Sequence, residues 1–148
     1  MSLRDRIQDD MKSALRAREK ERLAAIRLIL AAVKQREVDE RIILDDSQII
    51  EVLERMLKQR RESIKQYQNA GREDLAAKEA FESEVIHAYM PEPLSDAELD
   101  TLITSTIEAT GAKSVRDMGK VMGVLKNRVQ GRADMAAISA LVKARLAG

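Results

Sequence analysis

The only two prolines in this chain, Pro91 and Pro93, fall in one short segment, Tyr89-Met-Pro-Glu-Pro-Leu-Ser95. A helix interior tolerates neither, because proline removes a backbone donor and its ring clashes with the preceding turn. A chain of 148 residues whose prolines all sit at one point is free to be helical on both sides of it. We place a domain boundary there, with an N-terminal helical domain of about four helices over 1–92 and a C-terminal three-helix domain over 93–148. Composition points the same way. Six Gly and two Pro in 148 residues are well below the roughly 12% of an average protein, which disfavours a turn-rich β fold. Phe81, Tyr67 and Tyr89 are the only aromatics, so the 45% of apolar residues must build a core from Ala, Leu, Ile, Val and Met. No strand-like alternation or hairpin dipeptide occurs, and the expected fold class is all-α.

Local punctuation gives the helices. Ser95 as N-cap, Glu98 three residues on, and Leu94 placed to staple against Leu99 predict a helix from about Asp96 to Thr110. Gly111 ends it, Ser114 with Asp117 opens the next over about Val115 to Gln130, and Gly131 with Asp134 separates that from a last helix over about Met135 to Ala147. In the first region, Ser2 with Asp5 caps a helix whose apolar positions are Leu3, Ile7, Met11 and Leu15. A second helix carries Leu23, Ile26, Leu30 and Val33, and should be the most buried element. A third opens near Asp45 to Ser47 and runs along Ile50, Leu53, Leu57, Ile64 and Tyr67 to Gly71. Arg72 to Met90 forms the fourth.

Several chemistries are excluded by residue counts. There is no Cys, so no disulfide, thiolate metal site or cysteine nucleophile exists, and one histidine, His87, cannot make a multi-histidine metal site. His87 could serve as a general base only with Ser83 and Glu84, both close by on the same helix; a histidine near a helix C-terminus is more often a charge placed against the macrodipole. Walker, G-x-S-x-G, H-E-x-x-H and Ser-x-x-Lys patterns are absent, so no catalytic residue, metal or cofactor is expected. The longest apolar run, Leu28 to Val33, is far short of the roughly 20 residues of a membrane span. The first ten residues hold no apolar h-region, and a cytoplasmic location is expected.

Charge is balanced overall, 26 bases against 25 acids, but not locally. Glu92 to Glu108 holds five acids and no base, whereas Lys113 to Arg132 holds six bases and one acid, a local charge of +5. On a wheel at roughly 100° per residue, Val115, Met118, Met122, Leu125 and Val129 form a core-facing stripe. The adjoining arc carries Gly119 and Gly123 one turn apart, flanked by Arg116, Lys120, Lys126, Asn127 and Gln130. Two glycines within a helix cost roughly 1 kcal/mol each relative to alanine, which calls for compensation. Three readings fit. An RNA backbone could lie on a glycine floor while Arg116, Lys120, Lys126 and Arg132 neutralise phosphates. A G-x-x-x-G pair could admit another helix, from this chain or a partner. Or the arc is a solvated basic face. A secondary basic cluster, Lys58, Arg60, Arg61 and Lys65, lies on the third helix, with Arg60 on its apolar seam; pairing with a neighbouring carboxylate is the favoured reading there.

The residues also resemble a known family. Asp117-Met-Gly-Lys-Val-Met-Gly123 with Gly131-Arg-Ala-Asp134, Met1-Ser-Leu with Asp10-Met-Lys12, Leu57-Lys-Gln-Arg-Arg-Glu-Ser63, and Tyr89-Met-Pro-Glu-Pro-Leu-Ser95 occur in the order seen in the GatB/YqeY family, in its stand-alone YqeY-like form. That family includes the helical and tail domains of the B subunit of the tRNA-dependent amidotransferase. The resemblance implies a helical N-terminal region and a three-helix tail that, in the amidotransferase, packs against the outer corner of tRNA. Its tail signature falls on Gly119, Lys120, Gly123, Gly131 and Arg132, with Gln130 where a base is common. The expected role is a non-catalytic, tRNA-binding or tRNA-associated protein. The alternatives are an interaction module for an aminoacyl-tRNA synthetase or amidotransferase component, and a carbon–nitrogen ligase using glutamine, the latter by association alone because neither the activation site nor the amidase is resembled.

Overall fold

The computed structural model describes residues 1–129 and 131–148 and is all-α, with no strand among the described residues. Gln130 lies outside the described residues. The chain divides into two compact units, Met1–Met90 and Pro91–Gly148.

The first unit holds α1 (Leu3–Arg16), α2 (Lys20–Glu40), α3 (Asp46–Asn69) and α4 (Glu73–His87). Ser2 caps α1 by accepting the Asp5 amide at 3.1 Å, satisfying one of the donors a helix start leaves open. Asp45 and Gln48 form a reciprocal capping box on α3, and the helix turns inward the stripe Ile49, Val52, Leu53, Met56 and Leu57, so that Ile49, and not Ile50, enters the core. Leu15 is likewise exposed while Ala14 is fully buried, because the α1–α2 turn folds back on it with the Glu19 amide donating to the Ala14 carbonyl at 3.0 Å. The core gathers Ile7, Ile26, Ile29, Leu53 and Ile86, with α2 and α3 supplying most of it.

Polar contacts tie the ends of this unit together. Glu37, near the end of α2, accepts the Leu44 amide at 2.9 Å and pairs with Arg4. The Leu44 bond first, then Arg4, holds the Glu37 carboxyl below the ordinary range. Tyr89, buried beyond α4, donates to Asp10 at 2.6 Å and lies under the Arg6 guanidinium. Burial first, then that bond, pushes the Tyr89 hydroxyl pKa strongly up.

The second unit holds α5 (Asp96–Thr110), a 3₁₀ turn (Val115–Asp117), α6 (Met118–Val129) and α7 (Met135–Ala147). Ser95 and Glu98 form the expected capping box, and Gly111 ends α5 at φ +67°. Leu94 and Leu99 both pack on the second core, whose buried members are Ile103, Val121, Leu125, Val129, Ile138 and Val142. Because the turn before α6 is 3₁₀, Val115 falls out of register with the helix and is exposed; Val121 takes the inward position instead.

Candidate nucleic-acid interface

The charged arc of the second unit is built on α6. Three inward residues, Val121, Leu125 and Val129, set the helix rotation, and at 100° per residue this turns Gly119 and Gly123 outward. Both are exposed. A Cβ built on either would meet nothing within 4 Å, so no described side chain or helix of the second unit packs on the pair. The two glycines therefore have no packing reason to be glycine. Gly119→Ala and Gly123→Ala are expected to stabilise the second unit by about 1 kcal/mol each, through helix propensity, read as a rise in its thermal midpoint.

Around this floor, Lys120, Lys126 and Asn127 are exposed on α6, and Arg116 is exposed in the 3₁₀ turn that leads into it. Arg116, Lys120 and Lys126 have no carboxylate at ion-pair distance among the described residues. Asp117 lies at the edge of the set. It accepts the Lys113 amide at 2.9 Å; that bond first, with the charges of Lys120 and Lys113 adding, holds its pKa below the ordinary range. It trims the positive field of the arc without closing it.

Two arginines of the same segment face elsewhere. Arg132 donates from Nε to the Glu92 carbonyl at 2.8 Å and approaches Glu98 at 3.6 Å, while its own carbonyl accepts the Leu94 amide at 2.8 Å. It pins the Pro-Glu-Pro segment to the turn after α6, a structural contact that the sequence reading did not foresee. Gly131 shapes that turn at φ +78°, a conformation that favours glycine. Arg128 reaches α5, donating to the buried Thr106 hydroxyl at 3.0 Å; the sequence reading missed this contact, although Arg128 adjoins Val121 on the wheel and so had to lie beside the core.

The secondary cluster divides, three of its members sharing one face of α3 at spacings of three and four while the fourth leaves it. Lys58, Arg61 and Lys65 are exposed, but Arg60 turns inward between α3 and α4, 3.5 Å from Glu82 and 3.9 Å from Glu79. His87 is exposed in the last turn of α4, and Ser83 donates to the Glu79 carbonyl at 3.0 Å, so these two do not form a nucleophile–base pair.

Fold and site together define a class: a two-unit all-α protein whose second unit carries a glycine-floored helix face flanked by exposed cations. The family described as Yqey-like protein matches residues 4–146, and the chain belongs to that family. It is similar to proteins called "Altered inheritance of mitochondria protein 41, mitochondrial". That of Pyrenophora tritici-repentis is 32% identical over 130 residues, 86% of this chain and 71% of the relative. That of Eremothecium gossypii is 36% identical over 94 residues, 62% and 51% of the two chains, and that of Saccharomyces cerevisiae strain YJM789 is 30% identical over 95, 64% and 51%. The chain thus spans about half the length of the latter two relatives. No helix among the described residues is long and apolar enough to cross a membrane.

Proposed function

We propose that the α6 face binds RNA, with tRNA as the ligand, and that the protein acts as a non-catalytic tRNA-associated factor. The observation that carries this reading is the open space over Gly119 and Gly123 with three exposed cations in the same segment, Arg116, Lys120 and Lys126, none of them in an ion pair among the described residues. A phosphate backbone can approach a glycine surface more closely than any other, and the flanking charges lie where phosphates would pass. No aromatic residue stands on this face to stack an unpaired base, so the contact would read backbone shape and not sequence. The amidotransferase tail that the sequence resembles gives tRNA priority among RNAs.

Three phosphate contacts predict a slope of about −2.7 in log affinity against log salt, at roughly 0.9 per contact. Lys120→Glu with Lys126→Glu is expected to abolish an electrophoretic shift of tRNA at low salt while leaving helicity intact, since both side chains are exposed. Absence of any shift by the unmodified protein at low salt would reject the proposal. The alanine substitutions at Gly119 and Gly123 sharpen the test, because a more stable protein should then bind less.

The same open glycines admit a second reading, a helix from a synthetase or amidotransferase component docked on α6. A pull-down with purified components after nuclease treatment separates the two. The fungal relatives are mitochondrial by name, and the RNA reading applies equally to a mitochondrial protein and to the cytoplasmic one expected from sequence. Fractionation of cells carrying the tagged chain decides the location.

A further inference from the structure

The N-terminal unit carries a face that the RNA reading leaves unused. On α2 the inward seam runs through Leu23, Ile26, Ile29 and Val33. A second seam runs along the opposite, solvent side: Ala24, Leu28, Ala31, Gln35 and Val38 are all exposed and are spaced alternately by four and three, the spacing of a coiled-coil contact line. The next step of four is Ile42, also exposed. The left-handed cap at Arg41, φ +56°, with the Ile42 amide donating to the Glu37 carbonyl at 3.2 Å, keeps Ile42 beside the end of α2. Val38 is 60% exposed and Ile43 84%, and with Ile42 they border a shallow open depression of about 280 Å³.

Charge says what this seam fits. If Leu28, Gln35 and Ile42 are a positions, then Lys20, Arg27, Lys34 and Arg41 recur every seven residues at g, all exposed. None of the four has a carboxylate at ion-pair distance among the described residues. In a coiled pair, g faces e of a parallel partner helix or g of an antiparallel one. A second copy of this chain would offer Ala25, Ala32 and Asp39 in the first case and the same four cations in the second, so it does not complement the edge. Nucleic acid would match the charges but leave the aliphatic seam without a counterpart.

We infer that α2 is a docking face for an amphipathic helix of a protein partner, one with an apolar seam edged by Asp or Glu. Apolar side chains of that helix pack along Leu28, Ala31 and Val38 and into the depression beside Ile42, and its carboxylates meet Lys34 and its heptad neighbours. Ala24 and Ala31 let the two backbones come close. This inference does not depend on α6.

The probe is a synthetic four-heptad peptide with Leu at a and d and Glu at e and g, fluorescently labelled, together with a twin carrying Lys in place of Glu. With the full chain at low salt, anisotropy should report saturable binding of the Glu peptide and none of the Lys twin. Leu28→Asp with Val38→Asp should weaken binding at least tenfold, and so should Arg27→Glu with Lys34→Glu, with circular dichroism confirming that these surface variants fold. Failure of the Glu peptide to bind, or equal binding of both peptides, overturns the inference. So does concentration-dependent self-association of the chain that Leu28→Asp with Val38→Asp abolishes, which would make the seam a dimer contact. Loss of the tRNA shift in Arg27→Glu with Lys34→Glu, with peptide binding unchanged, would assign the stripe to RNA and overturn it as well.

Discussion

Arg60→Ala should destabilise the N-terminal unit by about 3 kcal/mol, at the lower end of what breaking a buried ion pair costs. The Arg60 side chain is 13% exposed and the Glu82 side chain 12%, so neither charge is well solvated. Nη2 of Arg60 approaches Glu82 at 3.5 Å, Nη1 donates to the Met56 carbonyl at 3.4 Å, and buried Nε has no hydrogen-bond partner. The pair is a poorly satisfied network, and its removal as a whole differs from removal of one member. Deleting the guanidinium strands Glu82 and Glu79 between α3 and α4, where desolvation of an unpaired carboxylate is the dominant cost. Replacing the more buried pair, as in Arg60→Met with Glu82→Leu, exchanges two desolvated ions for apolar packing and leaves only the more exposed Glu79 without its arginine, so it should cost clearly less than Arg60→Ala. Urea unfolding followed by helical ellipticity measures both variants. A single substitution that leaves the midpoint unchanged would mean that water reaches these carboxylates freely.

How far the sequence carried can be judged from such residues. Arg60 stood out because it interrupted an apolar seam, and pairing was the favoured expectation for it; which carboxylates would pair was not legible, since Glu79 and Glu82 lie on another helix. Caps were readable because their chemistry is local. Ser2 with Asp5 and Ser95 with Glu98 need only three residues of chain to make their bonds. Rotational settings were less so: Ile49 and Ile50 are adjacent and equally apolar, and Ile49 is the one in phase with Val52, Leu53, Met56 and Leu57, which α3 buries together. Val115 was misassigned to the core because a wheel extrapolates α-helical phase through a segment that is 3₁₀. In the candidate site, periodicity set Gly119 and Gly123 beside the core stripe, but their exposure was not legible, since the same pair could have admitted another helix of this chain. Nor were the contacts of Arg132 with Glu92 and Glu98, because they depend on how the segment around Pro93 returns to the end of α6. On α2, Lys20, Arg27 and Lys34 recur every seven residues in the sequence, but only burial separates the two apolar lines of that helix.

Leu125→Ala should unfold the C-terminal unit while the N-terminal one remains folded. Leu125 is fully buried at the middle of α6, in a core of six buried apolar side chains. Truncating such a residue costs roughly 2–5 kcal/mol, the lost transfer energy plus the cavity left behind. A unit of 58 residues, Pro91 to Gly148, has a net stability on the order of 3–5 kcal/mol from a single core of this size. The substitution therefore removes most or all of it. The first unit has its own core, built on Ile7, Ile26, Leu53 and Ile86 among others, and is expected to keep its unfolding midpoint. Helical ellipticity should fall at room temperature by the share that α5, α6 and α7 contribute, and the remaining signal should melt in one transition. Leu141→Ala, at an exposed position of α7, is the control and should change stability by less than about 0.5 kcal/mol. Because the proposed RNA contact depends on α6 being a helix with its glycine face turned outward, Leu125→Ala must also abolish the tRNA shift. A shift that survives the loss of this unit would move the interface off α6, and the roles of Lys120 and Lys126 with it.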